Sequence, residues 1–167
     1  CLHSSKAAAS QCLAKGAMDY NAHDKETILT GTVEQDMPYD VIAMIQAIID
    51  GTSPGQAPPF AKTMGLNTDM RFTEVSHGRF VLIWTIGRQL SHHDEFVQGG
   101  IVSVVADTGQ SMAFWSTSTE AETYSTADLS TRFFRPMKVG DSFRVESIVI
   151  NRSRRMGVVE TRFIGVD

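Results

Sequence analysis

The stretch Gln98-Gly99-Gly100-Ile101-Val102-Ser103-Val104-Val105-Ala106-Asp107-Thr108-Gly109-Gln110-Ser111 constrains the fold most, because it sets one carboxylate in an apolar run that opens on two glycines. Its β-branched and small residues favour a buried strand by propensity, whereas Ser103, Asp107, Gln110 and Ser111 recur three or four apart. On a strand, Ser103, Asp107 and Ser111 share a face with Val105 and Gly109, leaving Gln110 on the other. On a helix all four form one polar stripe, and the spacing predicts a helix over Gly99–Phe114. The paired glycines leave its first-turn N–H groups unhindered at the positive end of the helix dipole, a setting that suits an oxyanion. Asp107 follows Gly100 by roughly 10 Å along the axis, too far for both to serve one reacting carbonyl within a single protomer. A second subunit closes that gap. A buried Asp also serves as a cap, a turn residue or a hydrogen-bonded core group, so the stripe alone leaves the role of Asp107 open.

The chain has 167 residues, 42% of them hydrophobic and 20% charged, enough to build one globular domain with an ordinary core. A net charge of −4 gives no general attraction to nucleic acid or to an anionic membrane surface, so an anionic ligand needs a local basic cluster. Arg152, Arg154 and Arg155 form one, which reads either as a phosphate site or as a solvated turn. Cys1 and Cys12 lie near the N-terminus and share no metal-ligand spacing with the histidines, so neither a disulfide framework nor a metal site is expected. No apolar run approaches the roughly 20 residues of a membrane span, and no secretory signal is visible. The expectation is a soluble, cytoplasmic protein. Because residue 1 is Cys, the sequence reads as processed or incomplete, and a removed targeting segment stays open.

Residues 4–18 are alanine-rich and predict a peripheral helix. From Asp36 to Gly51 a cap at Asp36, Pro38 in the first turn, an apolar face of Val41, Ile42, Ile45, Ile48 and Ile49, and a stop at Gly51 predict a packed amphipathic helix. Thr52–Pro59 reads as a loop into the main domain. Strands follow: Leu66–Val75 and Arg79–Ile86 joined at Ser76-His77-Gly78, then, after the central helix, Thr126–Phe134, Phe143–Ile150 and Val158–Ile164 as an antiparallel meander. In the first of these three, Ala127, Leu129, Thr131 and Phe133 alternate with Thr126, Asp128, Ser130 and Arg132, one set packing on a helix and the other facing outward. The fold class is α+β, a curved antiparallel sheet around one buried helix, with residues 1–58 as a helical extension and 59–167 as the main domain.

A hairpin, a long helix opening on Gln98-Gly99-Gly100 with Ala106-Asp107 two turns on, and later strands carrying Asp128-Leu129, Phe133-Phe134-Arg135-Pro136 and Gly140-Asp141 resemble the hotdog-fold acyl-CoA thioesterases of the PaaI type. Gly78-Arg79 ahead of the second strand adds to the match, which runs from about Pro59 to Asp167. The resemblance implies that Asp107 attacks the thioester carbonyl or activates a water, and that the Gly100 N–H polarises the carbonyl oxygen from another subunit. It also implies that the Thr126 hydroxyl orients the water or the acid, and that the protein is a dimer or a dimer of dimers with neither metal nor organic cofactor. Gly99 and Ser111 line the substrate, and the arginines at 152, 154 and 155 are candidates for the phosphates of CoA, Arg152 among them.

Three positions depart from that pattern. Gln98 stands where many relatives have His; its amide hydrogen-bonds but does not titrate near neutral pH. Where relatives often have Asn, six residues earlier, stand His92 and beside it His93, read either as ligands of the thioester oxygen or a water or as surface residues. The chain ends at Val166-Asp167, where the family usually continues into one more strand, so a sheet edge is expected to lie open. No His lies within Gly99–Phe114, which argues against hydratase chemistry on the same fold. A non-catalytic acyl-thioester binding module is the alternative that Gln98 keeps alive. Phe72, Trp84, Phe114 and Trp115 are candidates for limiting pocket depth.

Overall fold

The computed structural model describes residues 39–53, 57–92 and 95–166, together with the backbone of residues 8–14. The first helix, α1 (Val41–Ile49), is capped by Asp40, whose side chain accepts a hydrogen bond from the Ala43 N–H. Val41 and Ile45 are buried on its inner face, and Gly51 ends it with a φ of 69°. The predicted cap at Asp36 and Pro38 lie outside the described residues. Short helices α2 (Pro59–Thr63) and α3 (Leu66–Asp69) lead into the hairpin β2 (Met70–Ser76) and β3 (Arg79–Thr85). The expected strand therefore starts four residues late. Gly65 takes a left-handed conformation, the Thr68 hydroxyl donates to its carbonyl, and the turn so formed buries Leu66.

The two-residue strands β4 (Ser91–His92) and β5 (Phe96–Val97) pair with each other ahead of helix α4 (Gly99–Trp115). After α4 come β6 (Tyr124–Ser130), β7 (Ser142–Arg152) and β8 (Met156–Val166). The helix predicted at residues 4–18 is corrected at its centre: Ala8–Ala14 is a strand, β1, and the rest of that span lies outside the described residues. β1 sits between β8 and β6, antiparallel to both, in a sheet of order β2-β3-β7-β8-β1-β6. Alanine favours helix only by local propensity, and a strand with neighbours on both sides satisfies its backbone groups in two ladders. Two further expectations change with it. The free edge of β8 is covered by β1, and β6 pairs with β1 instead of starting a meander with β7.

The architecture is nonetheless the α+β one expected: an antiparallel sheet wrapped around one long helix, preceded by helices. α4 lies against the sheet through Val102, Val105, Ala106, Ala113 and Phe114, all buried. Gly109 permits the close approach, since a Cβ there would lie 2.5 Å from the Ser147 Oγ, which is itself paired with the Thr161 hydroxyl at 2.6 Å. On the outer face, Glu74 pairs with Arg79 and Arg144, and Glu146 pairs with the same two arginines. Hydrogen bonds from Arg79 and then Arg144 hold the Glu74 carboxyl below its ordinary value.

Candidate active site

Ser103, Asp107 and Ser111 of the expected polar stripe of α4 face the edge strand β6 and the segment that follows it, whereas Gln110, the fourth, is fully buried. Reading down the helix in steps of four, Gly99 lies under Phe133, Ser103 meets Thr131, Asp107 meets Thr126 and Ser111 meets Tyr124. β6 and the residue that follows it thus run antiparallel to the helix, with the hydroxyls of Tyr124, Thr126 and Thr131 opposite Ser111, Asp107 and Ser103. The Thr126 Oγ1 donates to the Asp107 Oδ1 at 2.6 Å, and the Tyr124 hydroxyl donates to the Ser111 carbonyl at 3.0 Å. The hydroxyls of Ser103 and Thr131 lie 3.2 Å apart. Asp107 is half-buried, so its carboxylate combines a fixed partner with access from outside the core.

Thr126 reaches Asp107 because β6 carries a bulge. Gln11 pairs with Asp128 and Cys12 pairs with Thr126, leaving Ala127 as the extra residue. Upstream of the bulge Tyr124 and Thr126 reach α4, and downstream Leu129 is half-buried, with Ala127 and Asp128 both exposed. The strict alternation expected from the sequence, with Thr126 on the outward face, fails at this one residue. Bulges re-aim side chains in this way. The strand also stops at Ser130 and not at Phe134, leaving Phe133 and Phe134 52% and 60% exposed.

At the other end of the stripe Gln98 is the N-cap of α4 with no side-chain hydrogen bond to the first turn. Gly99 lies close under Phe133, where a Cβ would come within 3.0 Å of the ring. At Gly100 a Cβ would meet nothing within 4 Å, so the space over this first-turn amide is open. His92 is exposed in β4, and His93 lies outside the described residues. Asp107 and Gly100 lie on one uninterrupted α-helix, which at the usual rise separates them by roughly 10 Å within a protomer.

The basic turn stands elsewhere. Arg152 lies over the Phe114 ring at 4.0 Å and pairs with Glu122 at 2.5 Å, at the C-terminal end of α4. Phe114 is fifteen residues from Gly99, roughly 22 Å along the axis. Arg154 and Arg155 are exposed in the same turn. Trp84 and Phe114, read as candidates for pocket depth, are both fully buried. Among the described residues no group of three or more His, Cys, Asp or Glu side chains could hold a metal ion, and no helix is long and apolar enough to cross a membrane. Tyr124 and Thr131 also meet the helix at this face although neither is a site candidate from sequence; their hydroxyls are visible there, but the bulge that decides which ones face the helix is not.

Residues 95–165, from just before α4 nearly to the end of β8, match the family model of the Thioesterase superfamily. No curated protein matches the chain. Among solved structures it is similar to zebrafish thioesterase superfamily member 2, with a TM-score of 0.52 and 12% identity over 74% of this chain and 98% of that one. A phenylacetic acid degradation-related protein from Ralstonia eutropha gives a TM-score of 0.54 and 20% identity over 72% and 98%. A thioesterase family protein from Silicibacter pomeroyi gives 0.53 and 20% over 72% and 96%. These likenesses show the fold.

Proposed function

From a thioesterase-superfamily segment on a hotdog fold, we propose that this chain is an acyl-CoA thioesterase that works as a homo-oligomer, without metal or organic cofactor, at sites shared by two protomers. The observation that carries the reading is the Thr126 hydroxyl donating to Asp107 on a polar stripe whose first turn is open at Gly100. The ionised Asp107 either bonds to the thioester carbonyl carbon itself or takes a proton from the water that does so. In both routes the carbonyl oxygen gains negative charge, which the Gly100 N–H of the neighbouring protomer stabilises. The C–S bond then breaks, the CoA thiolate leaves and is protonated, and water supplies the oxygen of the free acid, directly or by opening the acyl-aspartyl intermediate. Thr126 holds the carboxylate in place.

Gln98, the N-cap of α4, and His92, exposed in β4, are assigned to the carbonyl oxygen or to a water. Gly99 keeps the amide turn accessible beneath Phe133, and Ser111 lines the same stripe. For the CoA phosphates this reading has Arg154 and Arg155, whereas Arg152 is held by Glu122. Assembly is supported by β6, which among the described residues is an outer strand of the sheet, with Phe133 and Phe134 exposed beside it.

The test is free-thiol release from a panel of short, long and aromatic acyl-CoAs by the protein and by Asp107→Asn, with binding measured in parallel. The account expects turnover from the protein, and its loss with binding kept in the variant. Binding without thiol release across the panel, by the unmodified protein, instead identifies a non-catalytic binding module.

A further inference from the structure

We infer that Arg152 is a positioning residue: paired with Glu122 and stacked on Phe114, it fixes the start of β6 against the C-terminal end of α4 and so holds Thr126 within reach of Asp107. Arg152 is the last residue of β7, and its guanidinium joins two other parts of the chain. Its Nη2 donates to the Glu122 Oε1 at 2.5 Å, in the loop between α4 and β6, and its central carbon lies 4.0 Å from the centre of the Phe114 ring, in the last turn of α4. The Ser118 hydroxyl donates to the same carboxylate oxygen. Both members of the ion pair are partly buried, so salt screens it less than a surface pair. The other terminal nitrogen, Nη1, is buried and has no hydrogen-bond partner among the described residues. With one nitrogen on Glu122 and the other out of solvent, the planar fork is closed to a two-pronged phosphate contact.

Glu122 stands two residues before β6 opens at Tyr124 and four before Thr126. Over that short span the chain is tied to α4 at three successive points. Glu122 is held through Arg152 on the Phe114 ring, and Tyr124 through its hydroxyl on the Ser111 carbonyl at 3.0 Å and its ring against Phe114 at 5.0 Å. Thr126 is held by Asp107 itself. Arg152 secures the outermost point, where the loop enters the strand. A hydroxyl 2.6 Å from its carboxylate is lost as a partner after a drift of about 1 Å, so freedom at Glu122 is felt at Thr126. Arg152 touches no substrate and acts through Thr126.

This role rests on the Asp107–Thr126 pair of the proposed function, and its first test makes no use of hydrolysis. Amide hydrogen exchange is measured in the full chain and in its Arg152→Gln and Glu122→Ala variants. Exchange over residues 119–130 should quicken about tenfold in both, while residues 79–85 and 142–148 of the β3–β7 ladder keep their protection. Unchanged exchange at 119–130, or an equal loss along the β3–β7 ladder, overturns the assignment. If neither variant folds, Arg152→Lys, which keeps the charge without the planar fork, decides by the same comparison. The second test is kinetic, on an acyl-CoA that the protein turns over. Arg152→Gln should lower kcat about tenfold with KM kept, the scale of the Thr126–Asp107 hydrogen bond. In a Thr126→Val background the same change should cost no more than about twofold, because the bond it protects is already gone. A raised KM with kcat kept makes Arg152 a ligand of the CoA phosphates and overturns the proposal, as does a full second loss added to that of Thr126→Val. Local exchange as expected in a protein that releases no thiol refutes the hydrolase reading alone.

Discussion

Two faces of one helix divide the work of this molecule. On the side of α4 toward β7 and β8, Val102, Val105, Ala106, Gly109, Ala113 and Phe114 are buried, and the fit is tight enough that neither Gly109 nor Gly157 has room for a methyl group. On the side toward β6, Gly99, Ser103, Asp107 and Ser111 are only half-buried and are met one by one by Phe133, Thr131, Thr126 and Tyr124. The first face holds the sheet by close packing, where a single methylene is felt. The second holds a carboxylate by hydrogen bonds at an accessible edge. Changes on the two faces should therefore separate folding from turnover.

The largest expected effect belongs to the polar face. Asp107→Asn keeps size and one acceptor but cannot take a proton or attack, and kcat should fall by about 10²–10⁴-fold while the melting temperature moves little. A similar fall in stability would erase the distinction between the faces. The packed face should show the reverse pattern. Gly157→Ala places a methyl group 2.5 Å from the Phe114 ring, and Gly109→Ala places one at the same distance from the Ser147 hydroxyl, so each should destabilise by about 1–3 kcal/mol in denaturant titration. The fraction that remains folded should retain near-normal kcat.

Thr126→Val sharpens the comparison because it alters only the partner of the carboxylate. Losing the 2.6 Å hydrogen bond should lower kcat about tenfold, the scale of a hydrogen bond to a charged group, with KM kept, and Thr126→Ser should restore it. The smallest effect lies away from both faces. Glu74→Gln removes an exposed carboxylate from the outer ion network and should lower stability by no more than about 1 kcal/mol, less at high salt. Its sign is fixed by the lowered carboxyl value: the stabilisation is complete above the unfolded value of 4.5 and is lost as the pH falls through the lower folded value.

Helix α4 was legible because polar residues recur at a helical period from Ser103 to Ser111, although Gln110 among them is buried, and the β2–β3 hairpin because Gly78 marks its turn. The β7–β8 hairpin was legible for the same kind of reason, short connection and β-rich composition. β1 was not. Its alanines favour helix locally, whereas its strand state depends on β8 and β6, more than a hundred residues away in the chain. The bulge at Ala127 was equally hidden, since nothing in Tyr124–Ser130 marks the extra residue and only the partner strand defines it. Arg152 shows the same limit: its role depends on Glu122, thirty positions earlier, and on the ring of Phe114. Local period and turn chemistry thus reveal the elements, and long-range pairing decides which side chains meet.

The claim that two protomers share each site has a direct measurement. Gly100→Pro removes the first-turn N–H at a helix start that tolerates proline, and Gly99 before it has no Cβ to clash. Asp107→Asn and Gly100→Pro proteins, each inactive alone, are unfolded together, refolded as an equal mixture and assayed for thiol release. Random pairing makes half the dimers hybrid, each with one intact site of two, so the account predicts recovery of about a quarter of wild-type turnover. No recovery from a mixture shown to contain hybrid dimers would place both groups in one protomer and contradict it.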